Sequence, residues 1–301
     1  MSLVVVGSVA YDGVETPHGK VDRMLGGAAT YISLAAAYFT DVKLVGIVGE
    51  DFAQEDVDLL ASRKIDLAGL ERVSGKTFFW AGVYSPDMNE RTTLRTDLNV
   101  FAGFDPKLPG AYRSAPYLLL GNIQPALQKS VRAQMNGVKY VGGDTMNYWI
   151  NDYRGELLET LQEWDFLLIN DSEARLLSGE HNLRRAAAKI MRMGPRTLVV
   201  KRGEYGAILF TPDFHFMAPG YLLEDVFDPT GAGDCFAGGF IGYLAGRAAA
   251  RTDMDALRRA VIYGSVMGSF CCEKFGVDRF RTLTNEEIEA RYQEFKSCTA
   301  F

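Results

Sequence analysis

The strongest constraint on the fold is a regular alternation of short apolar runs with helical stretches, clearest from residue 117 onward. A run that stays apolar at nearly every position, rather than at every second one, is typical of a strand buried on both faces. Such strands, separated by helices, predict an α/β fold with a central, mostly parallel sheet. The apolar runs are 3–6, 42–48, 117–120, 138–141, 165–169 and 197–200.

Polar residues follow several of these predicted strands. Asn122, Asp144, Asn170 and Lys201 each stand shortly after the end of an apolar run. The strands of a parallel sheet all end on one side, so these side chains are expected to gather along one edge. Ligands bind at that edge in sheets of this kind.

A glycine-rich stretch, DPTGAGDCFAGGF at 228–240, predicts a binding turn ahead of a helix. Pro229 and Thr230 interrupt extended structure, and the small residues 231–233 let backbone N–H groups converge. Apolar residues then recur at helical spacing from Phe236 onward. A helix start offers free N–H donors and the positive end of the helix dipole, so a phosphate can bind there without a cationic side chain.

Asp234 stands in the first turn of that predicted helix, where a carboxylate repels a bound phosphate. A general base explains its presence, since it can take the proton from a hydroxyl that attacks a phosphoryl group held by the turn. Two other interpretations exist. Asp234 can be a cap or dipole partner, and the glycines loosely match a dinucleotide fingerprint, although that motif needs a strand running directly into Gly231.

The stretch 228–240 resembles the C-terminal signature of the ribokinase-like (PfkB) family of carbohydrate and nucleoside kinases. The resemblance implies one kinase domain over 1–301, in which helices cover a mostly parallel sheet in three layers, and a small β lid from about 12–24 and 75–101. It implies ATP and Mg²⁺ as cofactors. The residues to which it gives catalytic roles are Asp234, as the base, and Gly231, Ala232 and Gly233, whose amides form the anion hole.

On the acceptor side, Gly26 and Gly27 open a helix of small residues and resemble the N-terminal signature of the family, which approaches the sugar. The resemblance implies that Asp12 accepts hydrogen bonds from substrate hydroxyls, although a solvated loop residue is the plainer interpretation. Many members have Asn where this chain has Tyr31, and Tyr31 is expected to fill space beside the substrate. Asn122 joins these candidates because it stands at a strand end.

Asn170 and Glu173 match the N-x-x-E element that the family associates with ATP phosphates and hydrated Mg²⁺. The resemblance implies that Glu173 contacts the metal through a water, which suits an ion that keeps several of its waters. The same two residues also have the spacing of a helix-capping pair, and one interpretation does not exclude the other.

Lys201, Gly203 and Gly206 resemble the loop of the family that approaches ATP, with Lys201 directed toward the phosphates. An exposed lysine at a strand end is the commoner case. Thr230, ahead of the glycines, and Ser265, on a later helix with several small residues, complete the candidate nucleotide-binding set. Plain helix packing accounts for Ser265 equally well.

Residues 76–100 differ from their surroundings, because β-favouring residues flank turn-forming residues at 85–89. This pattern predicts a hairpin inserted between α/β units. In the resemblance it corresponds to the lid that closes over the acceptor and often carries dimer contacts, so a homodimer through the lid is expected. A hairpin that merely packs on the core is the alternative.

The composition excludes several classes of protein. A net charge of −6 over 301 residues argues against a nucleic-acid partner. The N-terminus lacks the features of a signal peptide, and no stretch stays apolar for the ~18 residues of a membrane span. The four cysteines form no CxxC pair and are expected to be reduced thiols, so the expected location is the cytoplasm, with no membrane partner.

The predicted reaction is transfer of the γ-phosphate of ATP to a hydroxyl, in the simplest case a primary CH₂OH, of a sugar. A nucleoside such as adenosine is the alternative acceptor, because Tyr31, Phe78, Phe79 and Trp80 offer stacking surfaces. Outside the enzymes, the alternative is a ligand-binding protein without turnover. The joint presence of Asp234, the glycines and Glu173 speaks against it.

Overall fold

The computed structural model describes residues 1–299. Within this range the strands are β1 (Ser2–Val6), β2 (Ala10–Thr16), β3 (Gly19–Gly26), β4 (Asp41–Val48), β5 (Asp66–Arg72), β6 (Phe78–Tyr84), β7 (Arg91–Asp97), β8 (Tyr117–Leu120), β9 (Tyr140–Gly143), β10 (Phe166–Asn170), β11 (Thr197–Lys201), β12 (Ala207–Phe210) and β13 (His215–Ala218). The helices are α1 (Ala28–Ala36), α2 (Gln54–Ser62), α3 (Pro125–Ala133), α4 (Asn147–Asp152), α5 (Arg154–Leu161), α6 (Asp171–Ser178), α7 (Leu183–Met191), α8 (Ala232–Gly246), α9 (Met254–Cys271) and α10 (Asn285–Thr299).

Nine strands form one large sheet in the order β13-β12-β11-β10-β9-β8-β1-β4-β5. The seven strands from β11 to β5 pair in parallel, whereas β12 and β13 are antiparallel to their neighbours. The strands β1, β4, β8, β10 and β11 coincide with predicted apolar runs to within one residue at each end. The predicted α/β class with a mostly parallel sheet is confirmed.

Helices cover both faces of the large sheet, and side chains alternate between two cores. On β1, Val5 belongs to the core that includes residues of α1, α8 and α9. Its neighbours Val4 and Val6 belong to the opposite core, with residues of α3, α5 and α7. All three valines are fully buried, which explains why the strand is apolar at every position.

Helices α1 and α8 pack unusually close together, because α8 presents glycines to α1. A side chain at Gly238 would overlap the carbonyl oxygen of Ile32, and one at Gly242 would lie 2.9 Å from the Cα of Ala36. The small residues of α1 allow the same approach from the other side. Close packing fixes the two helices relative to each other.

A second, small sheet has the strand order β3-β2-β6-β7 and stands apart from the large sheet. Strands β6 and β7 form the antiparallel hairpin predicted within 76–100. Asp51, which follows β4, connects the two parts, since its carboxylate accepts hydrogen bonds from the backbone N–H and the hydroxyl of Thr77, both at 2.7 Å. The small sheet overlaps the ranges 12–24 and 75–101 that were predicted for a lid.

Two features of the large sheet differ from the prediction. Strand β9 begins at Tyr140 rather than at Val138, because the N–H groups of Lys139 and Tyr140 both donate to the carbonyl of Pro116 just before the strand. The antiparallel strands β12 and β13 have four residues each, too short to give a clear pattern. Within residues 1–299, no helix combines the length and the apolar character needed to cross a lipid bilayer.

Gly238→Ala is expected to destabilise the protein by about 1–3 kcal/mol, because the new methyl group would collide with the backbone of α1. Gly155→Ala is the matched control. Gly155 lies in α5 with open space around it, so alanine there should stabilise the fold by roughly 0.5 kcal/mol through helix propensity. Urea denaturation of both variants measures the difference. Equal stabilities would contradict close packing of α1 on α8.

Candidate active site

The glycine turn, residues 231–233, lies at the start of α8 as predicted. Gly231 is the N-cap residue and has φ 78°, a conformation that favours glycine. A side chain there would also lie 2.5 Å from the ring of Tyr31. The turn is held from below by Asp228, which is fully buried and accepts hydrogen bonds from the N–H groups of Thr230 and Gly276, both at 2.9 Å.

Two thiols line the inner side of this turn. The Sγ of Cys271 donates to the carbonyl oxygen of Thr230 at 3.3 Å, and the Sγ of Cys235 lies 3.8 Å from the carbonyl oxygen of Tyr31. Both cysteines are buried and unpaired, as are the less buried Cys272 and Cys298. The chain therefore has four free thiols, in agreement with the expected reduced state.

Asp234 lies in the first turn of α8 and keeps part of its surface open to solvent. Burial of most of the carboxyl among protein atoms removes water from it and raises its pKa to about 7, and the negative charge of Asp144 adds to this effect. Lys201 and Arg91 act in the opposite direction. A carboxyl with a pKa near neutrality is suited to take up and release a proton at physiological pH.

Lys201, at the end of β11, lies directly beside the glycine turn. Its Nζ is 3.2 Å from the Oδ2 of Asp144, and a side chain at Gly233 would lie 3.1 Å from the same Nζ. Burial alone lowers the pKa of Lys201, but the charges of Asp144, Glu173 and Asp234 outweigh burial and raise the pKa. Lys201 is therefore a charged group held against the turn, and with 16% of its side chain exposed it does not match the alternative of an exposed strand-end lysine.

Asn170 and Glu173 form a complete capping box at the start of α6. The Oδ1 of Asn170 accepts from the N–H of Glu173 at 2.8 Å, and the Oε2 of Glu173 accepts from the N–H of Asn170 at 2.9 Å. Burial, with the charge of Asp144, raises the pKa of Glu173 to about 7. The capping interpretation is confirmed, and the Oε1 of Glu173 is left for another contact.

On the acceptor side, Asp12 lies on β2 with its carboxylate against Gly26, where any side chain would overlap it. Gly27 is the N-cap of α1 and has φ 91°, and its N–H favours the charged form of Asp12 and so acts against burial. Only 5% of Asp12 is exposed. Burial and the charge of Asp228 raise the pKa of Asp12 to about 7. The structure thus brings Asp12, Gly26 and Gly27 together.

Tyr31 is not placed as expected. The side chain is fully buried, and its ring packs beneath Gly231. Its hydroxyl has no hydrogen-bond partner among the described residues. Burial excludes contact with a substrate in this conformation, so Tyr31 supports the glycine turn from below. The bulk that replaces the usual Asn of the family is accommodated because Gly231 has no side chain.

Asn122 follows β8 and is half-buried beside a group of aromatic residues. Its Oδ1 accepts from the Nε1 of Trp149 at 2.8 Å. Trp149 in turn packs against Tyr148 and Tyr153, with ring centroids 4.8 and 5.2 Å away. These three residues, termed here the aromatic cluster, were not singled out in the sequence, because helix α4 is too short to show a pattern.

The remaining nucleotide-side candidates lie in separate places. Gly203 (φ 55°) and Gly206 (φ 84°) shape the turn between β11 and β12, where a side chain at Gly206 would overlap the carbonyl oxygen of Ala218. Thr230 is buried, and its hydroxyl bonds to the hydroxyl of Tyr84 at 3.1 Å rather than facing open space. Ser265 is half-buried on α9, the helix that packs against β12 and β13.

Sequence reasoning gave no role to three residues that the structure brings to this site. Asp144, noted only as a polar residue after a strand, pairs with Lys201. Tyr84 and Arg91 come from the small sheet, at the two ends of the predicted turn 85–89. The usable signal for Tyr84 and Arg91 was their position directly beside the turn residues 85–89 of the predicted hairpin.

Comparisons with known proteins show that this protein is a phosphotransferase that acts on hydroxyl groups. The sequence model described as pfkB family carbohydrate kinase matches residues 1–282. The chain therefore belongs to this family, as the resemblance predicted.

Three similar proteins illustrate the relationship. The cytidine kinase of Thermococcus kodakarensis is 31% identical over 253 residues, which span 82% of this chain and 90% of that protein. A Burkholderia thailandensis nucleoside kinase in complex with inosine has a TM-score of 0.77 at 21% identity, over 98% of this chain and 99% of that one. A putative ribokinase II from E. coli in complex with ATP and Mg²⁺ has a TM-score of 0.79 at 21% identity, over 97% and 99%. The two structures show a shared fold.

Asp234→Asn is expected to stabilise the folded protein at neutral pH. Because the pKa of Asp234 is raised to about 7, the folded chain binds more protons than the unfolded chain between roughly pH 4 and 7, and stability falls as pH rises through that range. The amide carries no charge to desolvate. The melting temperature of the variant should exceed that of the wild type by a few degrees at about pH 8 and match it near pH 4.

Asp213→Asn is the control for this measurement, because Asp213 is an exposed carboxylate on a loop. Its melting temperature should follow the wild type at every pH. If Asp234→Asn melts no higher than the wild type at about pH 8, Asp234 is not desolvated as the structure indicates.

Proposed function

We propose that this protein transfers the γ-phosphate of ATP to a hydroxyl group of a nucleoside. One observation carries the transfer step: Asp234, the N–H groups of Gly231 and Gly233 and the Lys201 ammonium all meet at the start of α8. A base, a set of anion-binding donors and a fixed positive charge are the groups that phosphoryl transfer needs.

In this proposal the acceptor hydroxyl lies beside Asp234 and attacks the γ-phosphorus in line. A bond forms between the acceptor oxygen and phosphorus, the bond from phosphorus to the bridging oxygen breaks, and ADP leaves with that electron pair. The hydroxyl proton passes to the Asp234 carboxylate. The N–H groups of Gly231 and Gly233 would stabilise the charge of the transferred group, whereas the N–H of Ala232, which was also expected to do so, already donates to the carbonyl oxygen of Pro229 at 3.1 Å.

The residues present fit a hydrated Mg²⁺. Such an ion keeps several of its waters and needs only one or two carboxylates beside the substrate phosphates, and Glu173 is a half-buried carboxylate of this kind at the start of α6. Bound there, Mg²⁺ would neutralise charge on the phosphates. Glu173 would orient one of its waters through Oε1, since Oε2 is already bonded to the backbone of Asn170.

The proposed nucleotide side includes Lys201, Gly203 and Gly206, where the glycines let the backbone approach ATP. Ser265 would border the adenine, on the helix packed against β12 and β13. Thr230 has a different part in this proposal. Its hydroxyl bonds to Tyr84 of the small sheet and so ties that sheet to the glycine turn.

The aromatic cluster favours a nucleoside as the acceptor over the sugar that the sequence predicted. Trp149 reaches Asn122, and Gly121, the residue before Asn122, lies against Ala28 next to the glycine pair at Gly27. The cluster therefore lies beside the proposed acceptor site, where a base could stack on it. The relatives named for cytidine kinase and nucleoside kinase activity support this choice.

A sugar is the second candidate. Asp12 is buried against the glycine pair, and a carboxylate so placed can accept hydrogen bonds from two neighbouring hydroxyls of either a free sugar or a ribose. Asp12 therefore does not separate the two acceptors, whereas the aromatic cluster would serve only the base.

The small sheet would act as the lid. Besides the bond from Thr230 to Tyr84, the Nδ2 of Asn89 at the hairpin turn lies 3.2 Å from the Oε1 of Glu204, next to the nucleotide-side glycines. The hairpin therefore contacts both the segment before the glycine turn and the loop proposed for ATP. Closure of this kind excludes water, which competes with the hydroxyl as acceptor.

We also place the protein in the cytoplasm, where its four unpaired thiols would stay reduced.

Release of ADP from Mg-ATP should show strong turnover with pyrimidine or purine nucleosides and weaker turnover with fructose or ribose. Asp234→Asn should lower kcat by about 10²–10⁴-fold because the base is lost. In the wild type, kcat/KM should fall as pH drops below about 7, where the Asp234 carboxylate is protonated. Undiminished turnover of a folded Asp234→Asn variant would refute the assignment.

Trp149→Leu separates the two acceptor classes. It should raise the KM for nucleosides about tenfold through lost stacking and leave the KM for ATP unchanged. A preference for sugars over nucleosides that Trp149→Leu does not alter would instead select the second candidate.

A homodimer through the small sheet is proposed because Leu94 on β7 is 62% exposed at the edge of this sheet. Leu94→Glu should shift sedimentation from dimer to monomer. Leu176→Glu is the matched control, since Leu176 is 42% exposed on α6 in the body of the protein and should leave the dimer intact. A wild type that sediments as a monomer at micromolar concentration would exclude the dimer.

A further inference from the structure

We propose that Arg91, on the small sheet, binds the γ-phosphoryl group of ATP. This inference rests on the proposed function and adds to it a binding residue that only closure of the small sheet supplies. It is carried by the position of Arg91 in the sheet and by the absence of an ion pair to its guanidinium among residues 1–299.

The strand register directs Arg91 toward the site. Arg91 pairs with Tyr84, and its guanidinium carbon lies 5.3 Å from the centre of the Trp80 ring. Trp80 in turn pairs with Asp12 on the neighbouring strand β2. Paired residues lie on the same face of a sheet, so Arg91 shares a face with Asp12, the proposed acceptor-binding carboxylate.

Contacts on either side hold the Arg91 segment over the site. Its strand partner Tyr84 bonds to Thr230, directly before the glycine turn. Two residues before Arg91, Asn89 bonds to Glu204 in the loop proposed for ATP. The backbone of Arg91 therefore lies between two contacts, one beside the glycine turn and one in the loop proposed for ATP.

The guanidinium of Arg91 has no ion pair among residues 1–299, although carboxylates surround the site. Its charge lowers the pKa of Asp12, Glu173 and Asp234, against burial, which raises all three. Arg91 thus lies within electrostatic reach of all three carboxyl groups without pairing to one. By contrast, Lys201 is already paired with Asp144.

A triphosphate brings several negative charges into a site that already contains carboxylates. An unpaired guanidinium, with its fork of N–H donors, is the group suited to the terminal phosphate oxygens. The charge of Arg91 acts on the proposed base, the proposed metal-side carboxylate and the acceptor-binding carboxylate at once. The place between these three groups is where the transferred phosphoryl group would lie.

The test compares Arg91→Ala with Arg95→Ala. Arg95 lies on the same strand, also stacks on an aromatic ring, that of Phe79 at 5.2 Å, and pairs with Ala81, which places it on the opposite face of the sheet. Calorimetry of Mg-ATP and Mg-ADP binding gives the ratio of their dissociation constants. Arg91→Ala should weaken ATP roughly tenfold and leave ADP unchanged, whereas Arg95→Ala should leave both unchanged.

Turnover provides a second measurement. Arg91→Ala should lower kcat by about 10²-fold with little change in the acceptor KM, and Arg91→Lys should recover part of the loss. An ATP to ADP ratio in Arg91→Ala equal to that in Arg95→Ala overturns the proposal, as does a loss confined to the acceptor KM. If the wild type prefers ATP through Arg91 but phosphorylates no acceptor, the proposed reaction fails while the assignment of Arg91 stands.

Discussion

The close contact between α1 and α8 is the constraint on which the site depends. Gly238 and Gly242 let the two helices approach almost to backbone contact, and Gly231 lets the ring of Tyr31 lie beneath the turn. Because the helices are packed without slack, their starting points are fixed relative to each other at the same edge of the sheet. One start carries Gly27 and the other carries Asp234, so the proposed acceptor site and the proposed base are positioned by helix packing rather than by flexible loops.

Most of the large sheet was predictable, because strands buried on both faces leave a continuous apolar signature, as in Leu118 and its neighbours. The exceptions have physical causes. Strands β12 and β13 are short and antiparallel, and the start of β9 is set by the carbonyl of Pro116, a tertiary contact that no local pattern reveals. The hairpin of β6 and β7 was predictable from its turn residues, although its contacts with Thr230 and Glu204 were not.

The proposed site was predictable where a motif keeps its residues adjacent. Asp234 and the glycine turn form one such motif, and the structure places them as expected. The roles of residues that depend on neighbours far away in the sequence could not be predicted. The burial of Tyr31 follows from the absence of a side chain 200 residues later at Gly231, and the unpaired state of Arg91 is a property of its whole surroundings. Sequence identifies which groups are available, whereas packing decides which of them face one another.

The two thiols behind the glycine turn have a consequence of their own. Cys235 and Cys271 are buried and bonded to the backbone of Tyr31 and Thr230, so a thiol reagent can reach them only when this region opens. Cys298 is exposed and reacts without any opening, which gives a reference rate within the same molecule. The labelling rate of the buried thiols divided by that of Cys298 then measures the equilibrium constant for local opening of the turn. The chain thus contains, in its natural cysteines, a reporter of how often its phosphate-binding turn unfolds, and ligands that close the turn should slow that labelling.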